Sequence, residues 1–272
     1  MTEFGTWTSD IELAHRLADE AARIALGYFG RDVDHVAKKD GTPVSAADRA
    51  VEAALLEAIA RERPDDAVLS EERGGAARSE GRRWIVDPID GTEPFLAHAL
   101  WWGTHIALEQ EGEVVVAVLT RPAARQRWWA VRGHGTYVGG DDDPLGHHRR
   151  VSVSDTDRLA DASMSGFFQA GSPTAAKLAE GSGWVEIDDD LAIIPAVAEG
   201  RLDAVIDPGA GFEWDHAAQQ LVVTEAGGRF YDAHGGQRID TGVGIYTNGR
   251  IDEELLSRLA TLGIGPSPTT AR

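Results

Sequence analysis

The 272-residue chain contains no cysteine. Disulfides, thiolate zinc sites and cysteine nucleophiles are therefore excluded. Basic residues are scarce: 26 Lys and Arg stand against 45 Asp and Glu, for a formal charge of −19. Nucleic acid and anionic membrane both need a basic face, so neither is an expected partner. The acidic surplus suits a protein that attracts divalent cations, and much of it serves equally well to keep a surface soluble. No run of about 18 apolar residues occurs, so no membrane span is expected. The opening Met1-Thr-Glu-Phe-Gly-Thr-Trp-Thr8 lacks a basic segment followed by an apolar one. No signal peptide is expected from it, and the cytoplasm is the default location. The nine histidines show no metal-ligand spacing, and only His216, beside Asp215, is expected near a site.

What is present is enough apolar residue, 42%, to bury a core in one large domain or two packed smaller ones. Ser9-Asp-Ile-Glu12 reads as a capping box opening a helix, with Leu13, Leu17, Ala21, Ile24 and Tyr28 on one face. Gly30 ends it. A second helix starts near Ser45 and stops at Pro64. The period then changes. Segments 104–110, 113–121, 127–132 and 136–138 are short and β-rich, with turn signals at Glu111-Gly112 and Gly133-His-Gly135. They predict an antiparallel meander. The stretch 141–150 reads as a loop and a candidate boundary between halves 1–145 and 146–272. Beyond it, alternating helices and strands predict an α/β second half.

The densest signal is Trp84-Ile-Val-Asp-Pro-Ile-Asp-Gly-Thr92. Trp84 to Val86 read as a buried strand that Pro88 cannot continue. Asp87 and Asp90 then leave the strand end together. Two close carboxylates repel unless a proton or a cation lies between them. Gly91 and Thr92 add backbone N–H groups, so the pattern suits a hard cation together with an anion such as phosphate. Glu71 (in Leu69-Ser-Glu-Glu72), Asp48 (in Ser45-Ala-Ala-Asp48) and Asp215 (in Trp214-Asp-His-Ala-Ala218) could meet this pair. Taken alone, Asp48 reads first as a helix cap or dipole partner, and Glu71 reads equally as a solvated surface acid.

Together these segments resemble the inositol monophosphatase family. The likeness extends to Lys38-x-Asp-Gly-Thr-Pro-Val-Ser-x-Ala-Asp48, to Glu225-Ala-Gly-Gly228 and to Thr247-Asn-Gly249. Within the family, Pro43–Glu52 and Arg127–Gly135 look most like the histidinol-phosphatase branch. The resemblance implies a layered αβαβα sandwich of the inositol monophosphatase and fructose-1,6-bisphosphatase type. It also implies a homodimer and a lithium-sensitive, magnesium-dependent phosphomonoesterase holding two or three Mg²⁺, with Mn²⁺ as a possible substitute. By position, Glu71, Asp87, the Ile89 carbonyl, Asp90 and Asp215 would hold the metals. Gly91 and Thr92 would bind phosphate, and Lys38 would lie near a third, loose metal position or simply be a loop lysine. Glu71 and Thr92, the latter hydrogen-bonded to Asp48, would position and deprotonate the attacking water. Such chemistry suits magnesium, which prefers oxygen ligands and can steady both ends of an in-line displacement.

The departures from the family lie in specificity. The usual Lys-Asn-Phe is Glu93-Pro-Phe95 here. Glu186 and Asp189 stand where arginine and glycine are common, so this wall reads either as acidic and selective for a cationic substrate or as solvated acids at a helix start. The segment Asp207–Asp215 carries a Gly-rich extra residue, with Asp207 the best match for the acid that touches the leaving alcohol and Glu213 its rival. Trp101-Trp102 and Trp128-Trp129 read as core or subunit-interface residues, and His147-His148 as exposed loop. The expected substrate is a small phosphorylated metabolite, L-histidinol phosphate first. A phosphorylated cyclitol, amino sugar or nucleoside comes next, then inositol 1-phosphate. The alternative of another class is a non-catalytic dimer that binds metal or a phospho-ligand.

Overall fold

The structure, a computed structural model, describes residues 4–39, 41–75, 81–140, 147–184, 192–209 and 211–265. The helices are α1 (Thr8–Tyr28), α2 (Ala46–Glu62), α3 (Thr92–Leu96), α4 (Pro173–Ala179), α5 (Ile193–Ala198), α6 (Glu213–Glu225) and α7 (Asp252–Thr261). Strands in the first part are β1 (His35–Ala37), β2 (Pro43–Ser45), β3 (Ala67–Ser70), β4 (Gly74–Gly75), β5 (Arg82–Asp90), β6 (Gly103–Gln110), β7 (Glu113–Arg121), β8 (Gln126–Val131), β9 (Gly135–Gly140) and β10 (His148–Val151). The remainder are β11 (Ser163–Gly166), β12 (Gly183–Trp184), β13 (Ala204–Asp207), β14 (Arg229–Tyr231) and β15 (Gly244–Thr247).

An eight-stranded sheet runs β10-β9-β8-β7-β6-β5-β3-β4, and a five-stranded sheet runs β12-β11-β13-β15-β14. Strands β6 to β9 form the expected antiparallel meander, which β5 and β10 extend at its two ends, while β3 lies parallel to β5. Three apolar clusters define the layers. Leu13, Leu17, Val51 and Leu55 of α1 and α2 pack on Trp84, Val86, Ile106 and Val118 of the larger sheet. The other face of that sheet (Ile85, Ala107, Leu119) meets Val197 and Leu221 of α5 and α6, which also cover Val205 and Tyr246 of the smaller sheet. Met164, Ile206 and Ile245 on that sheet's far face pack on Leu178, Leu255 and Leu259 of α4 and α7. The order is helix, sheet, helix, sheet, helix, the layering anticipated above. Alternating residues of β5 serve opposite faces, which is why an almost uninterrupted apolar run is needed there.

Three local expectations are corrected. First, Ser9 does not cap α1. A 3₁₀ turn at Gly5–Trp7, anchored by buried Phe4, starts the helix earlier. Ser9 Oγ instead accepts from Arg63, and Asp10 pairs with Arg63 and Arg82. Second, Pro88 does not end its strand. β5 continues to Asp90 through a register shift between Asp87 and Asp90, where proline's missing N–H is tolerated. The Pro88 carbonyl accepts from Thr104 Oγ1 at 2.9 Å. Third, His148 is not loop. His148–Val151 pairs with β9 as an edge strand, and an exposed His-Arg-Arg edge needs no apolar alternation to be stable there. No helix among the described residues is long and apolar enough to cross a membrane.

Candidate active site

The site begins at the β5 irregularity. Asp87 is 2% exposed, and its Oδ1 has no hydrogen-bond partner among the described residues. Burial pushes its pKa well up, reinforced by the charges of Glu71, Asp90 and Asp215 and by a hydrogen-bond contact with Glu71. Glu71 follows directly from β3, which lies parallel to β5, so both strands deliver their carboxylates to one end. Asp215 comes from the first turn of α6, its carboxylate accepting the Phe212 N–H at 2.6 Å. Burial and the Asp90 charge raise the Asp215 pKa, against the pull of that N–H. Four carboxylates from β3, β5 and α6 thus act on one another around a buried oxygen with no donor. That donor set fits hard divalent cations, which would relieve the repulsion.

Lys38 is not a free loop lysine. Its Nζ lies 2.7 Å from Glu71 Oε1 and 2.7 Å from Glu72 Oε1. Burial lowers its pKa, but the hydrogen bonds and charges of the two glutamates outweigh this and hold it above its ordinary value. Burial raises Glu72 to about 7, with Lys38 opposing.

Asp48 serves both readings offered for it. Its Oδ2 accepts the Ser45 N–H at 2.8 Å in a capping box at the start of α2. Its Oδ1 accepts the Thr92 hydroxyl at 2.9 Å. Thr92 Oγ1 also lies 3.3 Å from the Ile89 carbonyl oxygen. Gly91 precedes the short α3 with φ +85, and a Cβ there would meet Pro94 Cγ at 3.0 Å and the Trp101 carbonyl at 3.2 Å. Glycine is required on both counts. Glu93 is exposed.

Beside the carboxylates is a cavity of about 250 Å³. Asp90, Asp207, Asp215, His105, Arg121 and His216 supply its charged and titratable lining, beside Thr120 and Gln219. Trp101, Trp128, Phe167, Ile193, Ile194 and Pro195 supply the apolar part. Asp207 is 7% exposed, with Oδ1 accepting from Gly209 N and Oδ2 lying 4.0 Å from His216 Nε2. Burial lowers the His216 pKa, with Asp207 opposing, and its Nδ1 shares a 2.7 Å hydrogen bond with Tyr246 Oη. Glu213 is placed otherwise. Its Oε1 accepts from Arg83 Nη2 at 2.8 Å, and the same nitrogen donates to Glu109 Oε2 at 2.7 Å. Asp207 therefore lines the cavity, whereas Glu213 is held by a buried arginine. Glu186 and Asp189 lie outside the described residues.

Sequence reasoning missed three features. His105 stands in the site as well as His216, with Nε2 3.3 Å from Asp90 Oδ2. A lone histidine in an apolar strand gave no signal. The buried Arg83 link from β5 to α6 was invisible because its partners are distant in sequence. Trp102, Trp128 and Trp129 are buried, as core residues should be, but Trp101 is 40% exposed at the cavity rim.

Known proteins extend this picture. Residues 7–263 match the sequence model of the inositol monophosphatase family. A Streptomyces griseus protein named glucose-1-phosphate thymidylyltransferase is 45% identical over 94% of this chain and 98% of its own. That name describes nucleotidyl transfer and disagrees with the family matched. The histidinol-phosphatase of Mycobacterium tuberculosis is 38% identical over 92% of this chain and 97% of its own. Among solved structures, the extragenic suppressor protein suhB of Bartonella henselae superposes with a TM-score of 0.80 at 27% identity, covering 92% of this chain and 98% of that one.

Proposed function

Because the chain belongs to the inositol monophosphatase family, and is thus of a phosphatase lineage, we propose that it hydrolyses L-histidinol phosphate. Divalent cations, Mg²⁺ first and Mn²⁺ as substitute, would be held by Glu71, Asp87, the Ile89 carbonyl, Asp90 and Asp215, supplying positive charge to the phosphoryl oxygens and the departing alkoxide. The protein's own groups do the rest. Asp48 takes the Thr92 hydroxyl hydrogen, which leaves Thr92 oxygen lone pairs to receive a hydrogen bond from the attacking water. Glu71 accepts that water's proton. The Gly91 and Thr92 amides hold the phosphate. Asp207, buried in the cavity wall, accepts a hydrogen bond from an N–H of the substrate's amine, and the departing alkoxide takes its proton from a second water molecule.

Residues 1–145 would supply most of the metal site, and 146–272 would supply Asp215 and the specificity side chains, Glu186 and Asp189 among them. The enzyme would work as a lithium-sensitive cytoplasmic homodimer. The observation that carries the reading is the convergence of Glu71, Asp90 and Asp215 on the buried Asp87 carboxylate. The branch choice draws on the likeness to histidinol-phosphatase and on a cavity combining acids with aromatic rings, which suits a cationic, ring-bearing alcohol.

The test is phosphate release with Mg²⁺ present. Substrates are L-histidinol phosphate, inositol 1-phosphate, representative cyclitol, amino-sugar and nucleoside phosphates, and a generic aryl phosphate. L-histidinol phosphate should exceed every other by at least about tenfold in kcat/KM, a margin of about 1.4 kcal/mol in transition-state binding. Preference for a cyclitol or amino-sugar phosphate would move the assignment there. Turnover of all of them no faster than the aryl phosphate would overturn it.

A further inference from the structure

We propose that His105 is a nitrogen ligand of the divalent-metal site, and that it raises the site's affinity for Mn²⁺ relative to an oxygen-only cage, with Mg²⁺ still the working ion. The inference rests on the metal reading above and deepens it. The ligand set implied by family resemblance consists of oxygen donors alone. Strand pairing adds an imidazole. His105 on β6 lies directly across from Asp87 on β5, and cross-strand partners project their side chains to the same face. His105 Nε2 is 3.3 Å from Asp90 Oδ2. One ligand atom from each of Asp87, Asp90 and His105 falls within 4.8 Å of the other two.

A second observation points to a ligand. His105 is 6% exposed, and its Nδ1 has no hydrogen-bond partner among the described residues. Asp87 Oδ1, in the same cluster, is also buried without a partner. Nε2 is the ring nitrogen beside Asp90, so a cation bound through Nδ1 would satisfy that atom and the partnerless Asp87 oxygen together while Nε2 keeps its contact with Asp90. Oxygen-only cages suit Mg²⁺ and Mn²⁺ alike, whereas an imidazole ligand adds affinity for first-row transition ions, least for Mn²⁺ and more for Zn²⁺, and adds little for Mg²⁺. A purely structural His105 would instead only hydrogen-bond Asp90 and hold it in place.

The experiment uses the full-length protein and its His105→Gln and His105→Leu variants, each stripped of metal and reloaded. His105→Gln keeps a donor for Asp90 but has no imidazole lone pair, so it separates positioning from ligation. Circular dichroism confirms folding. Electron spin-echo envelope modulation on the Mn²⁺-loaded proteins reads a directly bound nitrogen. Competitive titration gives the Mn²⁺-to-Mg²⁺ affinity ratio. The wild type should show ¹⁴N modulation that both variants lose, and the ratio should fall by about tenfold or more while Mg²⁺ affinity stays within about twofold. Wild-type Mn²⁺ binding without nitrogen modulation, or modulation that survives in both variants, would overturn the role of His105 and leave the carboxylate site standing. A wild type that binds neither ion would remove the metal reading itself, and this inference with it.

Discussion

The carboxylate corner and the cavity beside it share Asp90 and Asp215 but are assembled in opposite ways. Asp87, Ile89, Asp90, Gly91 and Thr92 come from one strand end and the turn after it, with Glu71 delivered by the parallel neighbour β3. The cavity draws its wall from β6, β7, β8, β13, α5 and α6, with Trp101 and Phe167. The corner is built locally, where backbone geometry fixes the spacing of the donors. The cavity is a product of tertiary packing, where any one side chain can change without moving the others. Under the proposed function, chemistry would reside in the first, and choice of substrate in the second.

The contrast can be broken most severely at Asp87. Asp87→Asn should lower turnover by about 10³-fold or more with the fold intact, because one ligand and one charge leave the transition-state clamp. Phosphate release and circular dichroism together check this. Turnover within a few-fold of wild type would place the chemistry elsewhere. Next in size is Arg83→Met. Arg83 and Glu109 are each about 1% exposed at the side chain, and Arg83 ties β5 to the first residue of α6, two before Asp215. Removing the cation strands a buried carboxylate, so unfolding free energy should fall by about 3–5 kcal/mol in denaturant titration. A loss below about 1 kcal/mol would show that the link is not needed to join corner and cavity. The smallest effect belongs to the cavity. Trp101→Ala should raise KM for a ring-bearing phosphate by about tenfold, with kcat and the KM of a small acyclic phosphate little changed, as expected for about 1–2 kcal/mol of stacking and cation–π contact. Equal changes for both substrates would mean that Trp101 only supports the fold.

The same division explains what could be read in advance. The layer order followed from the family resemblance, while periodicity located single elements: Leu13 and Leu17 marked the buried face of α1, and short β-rich segments marked β6 to β9. The corner was legible because its donors are packed into short, chemically improbable strings. Asp48 was ambiguous in the sequence because cap and acceptor use different oxygens of one carboxylate, and the structure engages both. Glu213 and Asp207 could not be separated, since nothing near Glu213 in sequence announces Arg83, some 130 residues away. His105 was hidden for the same reason. Its significance comes from lying opposite Asp87 across a strand pair, and register between strands is not written in either strand alone. Pro88 misled because a rule about regular strands was applied at an irregularity.

The most direct measurement is thermal unfolding of the metal-stripped protein across a Mg²⁺ titration, beside Asp87→Asn. With no metal, the wild type carries a buried, repelled carboxylate and should melt below the variant. As Mg²⁺ rises past its dissociation constant, wild-type Tm should climb by the linkage relation, about 2.7 kcal/mol of stabilisation at a hundredfold excess over Kd, while the variant responds far less. A wild-type Tm that is flat in Mg²⁺ and already equal to that of Asp87→Asn would contradict a cation cage built on Glu71, Asp87, Asp90 and Asp215.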